Sequence, residues 1–286
     1  MDDRRRAVEC ERPCTSRGHA RRSVSHGVSG HRSADRVSRT DRRDDPAAIQ
    51  KHLVDVQAIV ASAKSECQVP SAECRVVILA GGFGTRLGEL ARGLPKPMLP
   101  IGERPFLELV VDSFTVCGFR EFVLLTGYRG DVIERHFGSR FIYSRESTPL
   151  GTGGALREAR RLLGDRFLLT YGDVLRRFDY DRFVRAHDEP CLAVYRRISV
   201  GNTEIEGDRV IRFDKHVPEL PYIDAGFSLM HASAIDLLPK SGACSFEEIV
   251  FPALARERRL ACEIVDHNFY EIGSPEELAK TRAALA

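Results

Sequence analysis

A glycine-rich loop and a lysine held between two prolines are the residues of this sequence best suited to phosphate chemistry. The loop LAGGFGTRL, Leu79–Leu87, follows the short apolar run Arg75–Ala80. A strand that enters such a loop brings backbone N–H groups close to phosphate oxygens. Within the loop, Arg86 suits bidentate binding of phosphate. Lys96 lies between prolines on a stiff extended segment, where it could place a second cation.

Two common phosphate loops do not apply to this segment. The P-loop pattern GxxxxGK[ST] does not occur in the sequence. The dinucleotide pattern GxGxxG fits only in its first half, at Gly82 and Gly84, because Leu87 stands at its third glycine. The second predicted strand also ends in Thr126 and Gly127, without the acidic residue that NAD recognition uses. We therefore discard an NAD-dependent oxidoreductase.

Composition narrows the class of protein further. The chain has 286 residues, is 43% hydrophobic and carries a formal net charge of +2, so it can bury a sizeable core but lacks the strong basic charge of a dedicated nucleic-acid binder. No apolar run approaches the roughly 18 residues of a transmembrane helix. The eight cysteines include no CxxC pair, which favours reduced thiols over zinc or disulfides. We expect a cytoplasmic protein with neither a nucleic-acid nor a membrane partner.

The chain divides into three parts. Residues 1–44 are rich in Arg and Ser and poor in large apolar side chains, so we predict a disordered arm. Asp45 is a good N-cap and Pro46 suits the first helical position, which predicts a helix over 45–64. A single domain over 73–286 accounts for the rest.

Within this domain, apolar runs typical of buried strands alternate with amphipathic helices. The predicted strands are Arg75–Ala80, Glu121–Thr126, Phe141–Ser144 and Phe167–Thr170. The predicted helices are Pro105–Cys117, Arg129–Phe137, Gly153–Leu163 and one that starts at Pro275. Beyond Pro190 the pattern changes to alternating strands and glycine turns. The sequence therefore predicts an α/β domain with a mixed, mostly parallel sheet flanked by helices.

The linked pair of LAGGFGTRL and LPKPMLP resembles the signature of the sugar-phosphate nucleotidylyltransferases. Further segments similar to that family follow in order: PLGTGGA (149–155), YGD (171–173), FDK (213–215), IDAGF (223–227) and FYEIGSPEEL (269–278). The resemblance implies a Rossmann-like nucleotidyltransferase domain. With PLGTGGA, it is closest to enzymes that make GDP-heptose or GDP-mannose, with the uridylyl enzyme for N-acetylmuramate 1-phosphate nearby.

The resemblance also implies site residues. Arg86 would hold the β- and γ-phosphates, Lys96 the α-phosphate and Lys215 the phosphate of the sugar. Asp173 and Glu271 would bind Mg²⁺, although the family usually has aspartate in place of Glu271. The remaining substrate-binding residues are Ala80, Gly81, Gly82, Gly84, Thr85, Gly151, Thr152, Gly153, Asp224 and Gly226.

Such a reaction is an in-line displacement by an anionic phosphate oxygen, so it needs no general base. Catalysis then rests on positioning and charge neutralisation. The expected partners are a nucleoside triphosphate, with GTP favoured, and a sugar 1-phosphate. Three alternatives remain open: a uridylyl- or thymidylyltransferase acting on a hexose or N-acetylmuramate 1-phosphate, a nucleotide-sugar-binding regulator without turnover, and a homo-oligomer rather than a monomer. Glu146 is left undecided between a hydroxyl contact and a surface position.

Overall fold

Residues 74–286 are described by a computed structural model, except Arg92, Ile198, Ser199, His267, Asn268 and Ala286. The arm predicted for 1–44 and the helix predicted for 45–64 lie outside the described residues. The domain predicted for 73–286 is described from Cys74 onward.

Strands and helices alternate along the first half of the described chain, and strands dominate the second half. The strands are β1 (Cys74–Ala80), β2 (Pro100–Ile101), β3 (Arg104–Pro105), β4 (Phe122–Thr126), β5 (Ile142–Arg145), β6 (Arg166–Tyr171), β7 (Val174–Arg176), β8 (Cys191–Arg196), β9 (Thr203–Glu206), β10 (Arg209–Phe213), β11 (Tyr222–His231), β12 (Ala261–Ile264) and β13 (Phe269–Glu271). The α-helices are α1 (Phe106–Thr115), α2 (Gly130–Phe137), α3 (Gly151–Glu158), α4 (Tyr180–Ala186), α5 (Phe246–Arg256) and α6 (Pro275–Leu285).

A nine-stranded mixed sheet forms the centre of the fold, in the order β5-β4-β1-β6-β11-β8-β12-β10-β9. Strands β5, β4, β1 and β6 are parallel to one another. β11 is antiparallel to both β6 and β8, β12 is parallel to β8, and β10 is antiparallel to both β12 and β9. The predicted mixed α/β fold is confirmed, and the antiparallel part begins beyond Pro190 as predicted.

Both faces of this sheet are covered, which explains the uninterrupted apolar run of β1. Because successive side chains of a strand point to opposite faces, Val76 and Ile78 pack in one core cluster with α1, and Val77 packs in the other with α3 and α5. All three of these side chains are fully buried. The layered core fixes the strand ends, and with them the loops that follow.

Two helices differ in extent from their predicted ranges. The helix predicted for Gly153–Leu163 begins earlier, at Gly151, and ends at Glu158 before a 3₁₀ turn over Arg160–Leu162. The PLGTGGA segment therefore leads directly into the first turn of α3. The helix predicted for Pro105–Cys117 is the shorter α1, because the chain tightens into a turn that ends at Gly118, with φ of 96°.

Short strands were missed in the sequence. β7 pairs with β13, and β2 pairs with β3, in two small antiparallel sheets. Runs of two or three residues carry too little periodicity to be recognised. None of the described helices is long and apolar enough to cross a membrane. The cysteines within the described residues carry free thiols: Cys74, Cys117, Cys191, Cys244 and Cys262.

Candidate active site

A cleft of about 270 Å³ opens where the parallel strands β1 and β6 end side by side. Leu79 and Tyr171 are in register, and Gly172 N donates a hydrogen bond of 2.9 Å to Leu79 O. The carboxyl ends of parallel strands are where open α/β sheets bind ligands. The cleft is lined by many of the residues predicted from the sequence: Ala80, Gly81, Gly82, Lys96, Gly151, Thr152 and Asp173.

Lys96 and Asp173 form an ion pair inside this cleft. The Nζ–Oδ2 distance is 2.5 Å, and the side chains are 15% and 32% exposed. The lysine stands at the start of a 3₁₀ turn, Lys96–Met98, whose Pro97 and Met98 are buried and fix its position. Gly84 has φ of 64°, and a Cβ there would lie 3.1 Å from the Cβ of Lys96. The glycine-rich loop can thus lie directly against the lysine because Gly84 has no side chain.

Glu271 brings a second carboxylate to Asp173. It is paired with Val174 across the small β7–β13 sheet, and Ile272 N donates to Asp173 O at 3.3 Å. Burial, together with the nearby carboxylate of Glu277, raises the pKa of Glu271 to about 7, and the charge of Asp173 adds to this. A cation bound beside these carboxylates would reduce the electrostatic repulsion between them.

The donor set fits Mg²⁺, a hard ion that prefers oxygen ligands. The described residues contain no cluster of three or more His, Cys, Asp or Glu side chains that could enclose a metal by themselves. An Mg²⁺ ion held by the carboxylates of Asp173 and Glu271 would keep positions for phosphate oxygens and water, which is the usual pattern at phosphate-transfer sites.

Glu146 belongs to the cleft and not to the outer surface. Its Oε2 accepts a hydrogen bond of 3.0 Å from Leu150 N, and its Oε1 would lie 3.2 Å from a Cβ placed on Gly81. Burial raises the pKa of this carboxyl. Glu146 therefore lines the cleft and is hydrogen-bonded to the residue before α3, whereas its contact to a hydroxyl stays a prediction.

Glu247 is the buried residue that sequence reasoning missed. Its side chain is 1% exposed. It accepts hydrogen bonds from Tyr171 Oη, from Thr152 Oγ1 at 2.7 Å and from Ser245 Oγ at 2.8 Å. Lys215 Nζ lies 3.5 Å from its Oε2. Burial acts to raise the pKa of Glu247, but Lys215 and these hydrogen bonds outweigh it and the pKa is lowered. In the sequence, Ser245 and its following acids are typical only of a helix start.

Glu247 thus joins two predicted substrate segments that are far apart in the chain. Thr152 belongs to the segment expected at the nucleotide, and Lys215 to the segment expected at the sugar phosphate. Their contacts to one buried carboxylate hold both next to Tyr171, which lines the cleft.

Asp224 and Gly226 lie in a bulge of β11, beside this group. The pairing of β11 with β8 shifts in register between Asp224 and Ser228. Gly226 has φ of 79°, and its N–H donates to Asp224 Oδ1 at 2.7 Å. Burial raises the pKa of Asp224 to about 6, with Glu247 adding to the effect and Lys215 opposing it. The bulge turns this carboxylate toward the polar group around Glu247.

Several predicted residues do not line the cleft: Gly84, Thr85, Arg86, Gly153, Lys215, Asp224, Gly226 and Glu271. Thr85 and Arg86 are exposed at the start of a 3₁₀ helix, Thr85–Ala91. Gly153 is buried, and its N–H donates to Cys244 O at 2.9 Å. Gly153 therefore serves the close packing of α3 on the segment before α5. A hydrophobic residue of the loop, Phe83, lines the cleft instead and is 50% exposed.

A model of one protein family matches this chain. The family is described as nucleotidyl transferase, and the match covers residues 75–205. The match includes the glycine-rich loop, Lys96 and Asp173, the residues that form the cleft.

Characterised relatives extend the similarity over almost the whole described region. The chain is 31% identical over 214 residues to D-glycero-alpha-D-manno-heptose 1-phosphate guanylyltransferase of Campylobacter jejuni, covering 71% of this chain and 96% of the relative. It is 32% identical over 230 residues to mannose-1-phosphate guanylyltransferase of Mycobacterium tuberculosis, covering 73% of this chain and 64% of that relative.

A solved structure has the same fold. HddC from Yersinia pseudotuberculosis, complexed with GMP-PN, is 26% identical with a TM-score of 0.64, covering 73% of this chain and 98% of that one. With the family match and the relatives, this likeness establishes that the chain belongs to the nucleotidyl transferase family, as a sugar-1-phosphate nucleotidyltransferase.

Proposed function

We propose that the protein transfers GMP from GTP to a heptose or mannose 1-phosphate, giving a GDP-sugar and pyrophosphate. The observation that carries the proposal is the Lys96–Asp173 pair at the mouth of the glycine-rich loop. The pair supports the proposal because a cation and a carboxylate lie together in the cleft beside the loop whose backbone would approach a triphosphate. The preference for guanine and for these sugars is supported by the names of the relatives.

On the nucleotide side, the chain's own residues act by position and charge. The backbone of Gly81 and Gly82 borders the cleft, so phosphates can approach it closely. Lys96 would neutralise the charge that develops at the α-phosphate, and Arg86 would hold the β- and γ-phosphates and then the leaving pyrophosphate. No base is required, since the attacking oxygen of the sugar phosphate is already anionic.

Asp173 and Glu271 would hold Mg²⁺ between them. When bound, the ion would supply charge neutralisation for the triphosphate and would fix its orientation. The carboxylates would contribute the anionic ligands, and the positive charge of Lys96 offsets the negative charge of Asp173.

On the acceptor side, Lys215 would bind the phosphate of the incoming sugar. Its ion pair with Glu247 would orient the ammonium group, and Asp224, which accepts from Gly226 N, would bind sugar hydroxyls. We assign the catalytic domain to 73–286 and the reaction to the cytoplasm, and we leave a homo-oligomeric assembly as a further proposal.

Pyrophosphate release tests this function. GTP, UTP, dTTP, CTP and ATP are each combined with heptose, mannose, glucose and N-acetylmuramate 1-phosphates, with and without Mg²⁺. We expect release only with Mg²⁺, GTP and a heptose or mannose 1-phosphate together. Release with UTP or dTTP and a hexose or N-acetylmuramate 1-phosphate would replace the proposed specificity, and no release with any pair would contradict the proposal.

A further inference from the structure

A buried arginine that the proposed reaction does not use lies next to the residues proposed to hold Mg²⁺. Arg176 ends β7, the short strand that begins directly after Asp173. It is 5% exposed, although an arginine is almost never buried unless its charge is compensated. Its cross-strand partner on β13 is Phe269, two residues before Glu271. The position of Arg176 is therefore tied through the backbone to both carboxylates of the proposed metal site.

Aromatic rings and nearby carboxylates fix the guanidinium group of Arg176. Its central carbon lies 5.2 Å from the ring centre of Tyr195 on β8 and 4.6 Å from that of Phe269. Such contacts between a cation and a ring are stronger where water is excluded. Burial lowers the pKa of Arg176, and the negative charges of Asp224 and Glu271 act in the opposite direction. An arginine keeps its charge in proteins, so Arg176 is a buried cation held in one place.

The hydrogen bond of Arg176 goes to the bulge of β11. Its Nε donates to the carbonyl oxygen of Ala225, the residue between Asp224 and Gly226. A bulge interrupts the regular pairing of the backbone, and the pairing of β11 with β8 shifts between Asp224 and Ser228. Buried backbone groups that the sheet does not pair need other partners. Arg176 thus supplies a side-chain partner to the centre of the bulge.

Two other side chains contact the ends of the same bulge. Asn202 Oδ1 accepts a hydrogen bond of 2.9 Å from Asp224 N, and Thr170 Oγ1 donates one of 3.2 Å to Gly226 O. These contacts hold the first and last residues of the bulge, and Arg176 holds the carbonyl between them. Of these three side chains, Arg176 is the one that belongs to the β7–β13 sheet beside the proposed metal site.

We propose that Arg176 is a positioning residue for the sugar-phosphate acceptor, because it holds the bulge of β11 at a fixed place relative to Asp173 and Glu271. The inference rests on the proposed role of Asp224 in sugar binding. In-line transfer requires the acceptor oxygen to be aligned with the α-phosphate, and small displacements of a bound substrate are costly. Since Arg176 is buried, it acts through the backbone of Ala225 and not by touching a substrate.

Arg176→Met tests this role, because methionine retains an unbranched side chain beside the rings but cannot donate a hydrogen bond. The assay combines GTP with the heptose or mannose 1-phosphate that the wild type turns over. We expect the KM for the sugar phosphate to rise about tenfold, the effect of one lost hydrogen bond from a charged donor. The KM for GTP should stay near the wild-type value. Arg176→Lys, which keeps a charged donor, should recover part of the loss.

The matched control is Arg166→Met, at the opposite end of β6 from Tyr171. Arg166 also donates to backbone oxygens, those of Val184, at 3.0 Å, and of His187. Both methionine variants should lower the melting temperature, since each leaves a carbonyl oxygen without its donor, but only Arg176→Met should raise the KM for the sugar phosphate. A wild-type KM in Arg176→Met overturns the inference alone. No turnover by the wild type would contradict the proposed function, and the inference would fall with it.

A nuclear magnetic resonance measurement on the wild type needs no stable variant. In protein labelled with ¹⁵N-arginine, the Nε–H of Arg176 should exchange slowly with water, because it is buried and hydrogen-bonded. Nuclear Overhauser effects to the rings of Tyr195 and Phe269 assign its resonance. The GDP-sugar that the wild type produces should shift this resonance, whereas GDP should not. Fast exchange with water, or no response to the GDP-sugar, would overturn the inference.

Discussion

The ammonium group of Lys96 lies 2.5 Å from a carboxylate oxygen of Asp173, although 77 positions separate the two residues in the chain. They meet because β1 and β6 are adjacent and parallel, so the loops after these strands share one edge of the sheet. Before substrate binds, the lysine compensates a carboxylate that would otherwise repel a triphosphate. In the proposed reaction, the ammonium group of the same lysine would form an ion pair with the phosphates when they enter the cleft.

Replacement of Lys96 by alanine should remove transition-state stabilisation and leave the fold intact. We expect kcat to fall on the order of a hundredfold or more, as is usual when one preorganised charge is lost. Asp173 is 32% exposed and can be solvated, so the melting temperature should change little. Pyrophosphate release and circular dichroism measure the two effects. The matched control is Lys280→Ala, which replaces an exposed lysine of α6. Wild-type turnover by the Lys96 variant would refute the role proposed for Lys96.

Two glycines of the nucleotide segments should respond differently to alanine. A Cβ on Gly82 meets nothing within 4 Å, so Gly82→Ala should retain stability but lower kcat/KM for the triphosphate by crowding its phosphates. Gly151 has φ of 69°, and a Cβ there would lie 2.5 Å from Cys244 O. Gly151→Ala should therefore lower the melting temperature as well as activity. Thermal unfolding alongside kinetics separates the two cases, and a destabilised Gly82 variant would contradict this account.

The elements that carry the chemistry were predictable because their signals are local. Arg75–Ala80 is a continuous apolar run, and the structure gives it neighbours on both sides and helices on both faces. The loop after it and the lysine between prolines are short, contiguous motifs. Their meeting with Asp173 follows from the rule that ligands bind at the carboxyl ends of parallel strands.

The position of Glu247 could not be predicted because nothing in its own segment marks it. Ser245 accepts a hydrogen bond from Glu248 N at 3.2 Å, so the segment resembles an ordinary helix cap. The contacts of Glu247 to the predicted substrate segments come from Thr152 and Lys215, which are distant in sequence, and its burial comes from the packing of α5.

Replacement of Glu247 by glutamine should weaken acceptor binding more than nucleotide binding. Glutamine retains the shape and some of the hydrogen bonds but removes the charge opposite Lys215. We expect a loss of about 1–3 kcal/mol in unfolding free energy. The KM for the sugar phosphate should rise about tenfold, corresponding to the loss of one oriented charge contact. Urea denaturation measures the change in unfolding free energy, and steady-state kinetics measure the KM for the sugar phosphate.

Tyr171→Phe is the control for the Glu247 variant, because it removes one hydrogen bond to Glu247 and leaves the ion pair with Lys215. It should cost about 1 kcal/mol of stability without a comparable rise in acceptor KM. Equal KM values for both variants would show that Glu247 supports the fold but does not position Lys215.

Asp224 should make the stability of the protein depend on pH between about 4 and 6. Its pKa is raised from 3.8 to about 6 by burial, so the folded state favours the protonated carboxyl. The resulting stabilisation is fully present below the unfolded pKa and is lost as the pH rises through the folded pKa. Asp224→Asn keeps an oxygen for the Gly226 N–H but does not ionise. Relative to the wild type, the variant should therefore gain about 1–3 kcal/mol of unfolding free energy between pH 4 and pH 7.

Urea denaturation of the wild type and of Asp224→Asn across this pH range isolates the contribution of Asp224, since other titrating groups cancel in the difference. Asp236→Asn is the comparison at an exposed aspartate, whose side chain is 71% accessible. The difference in unfolding free energy between this variant and the wild type should not change with pH. A flat difference for Asp224→Asn as well would mean that Lys215 and the Gly226 N–H already compensate the ionised carboxylate. The bulge of β11 would then present a permanent negative charge to the acceptor pocket, and sugar binding would be independent of pH in this range.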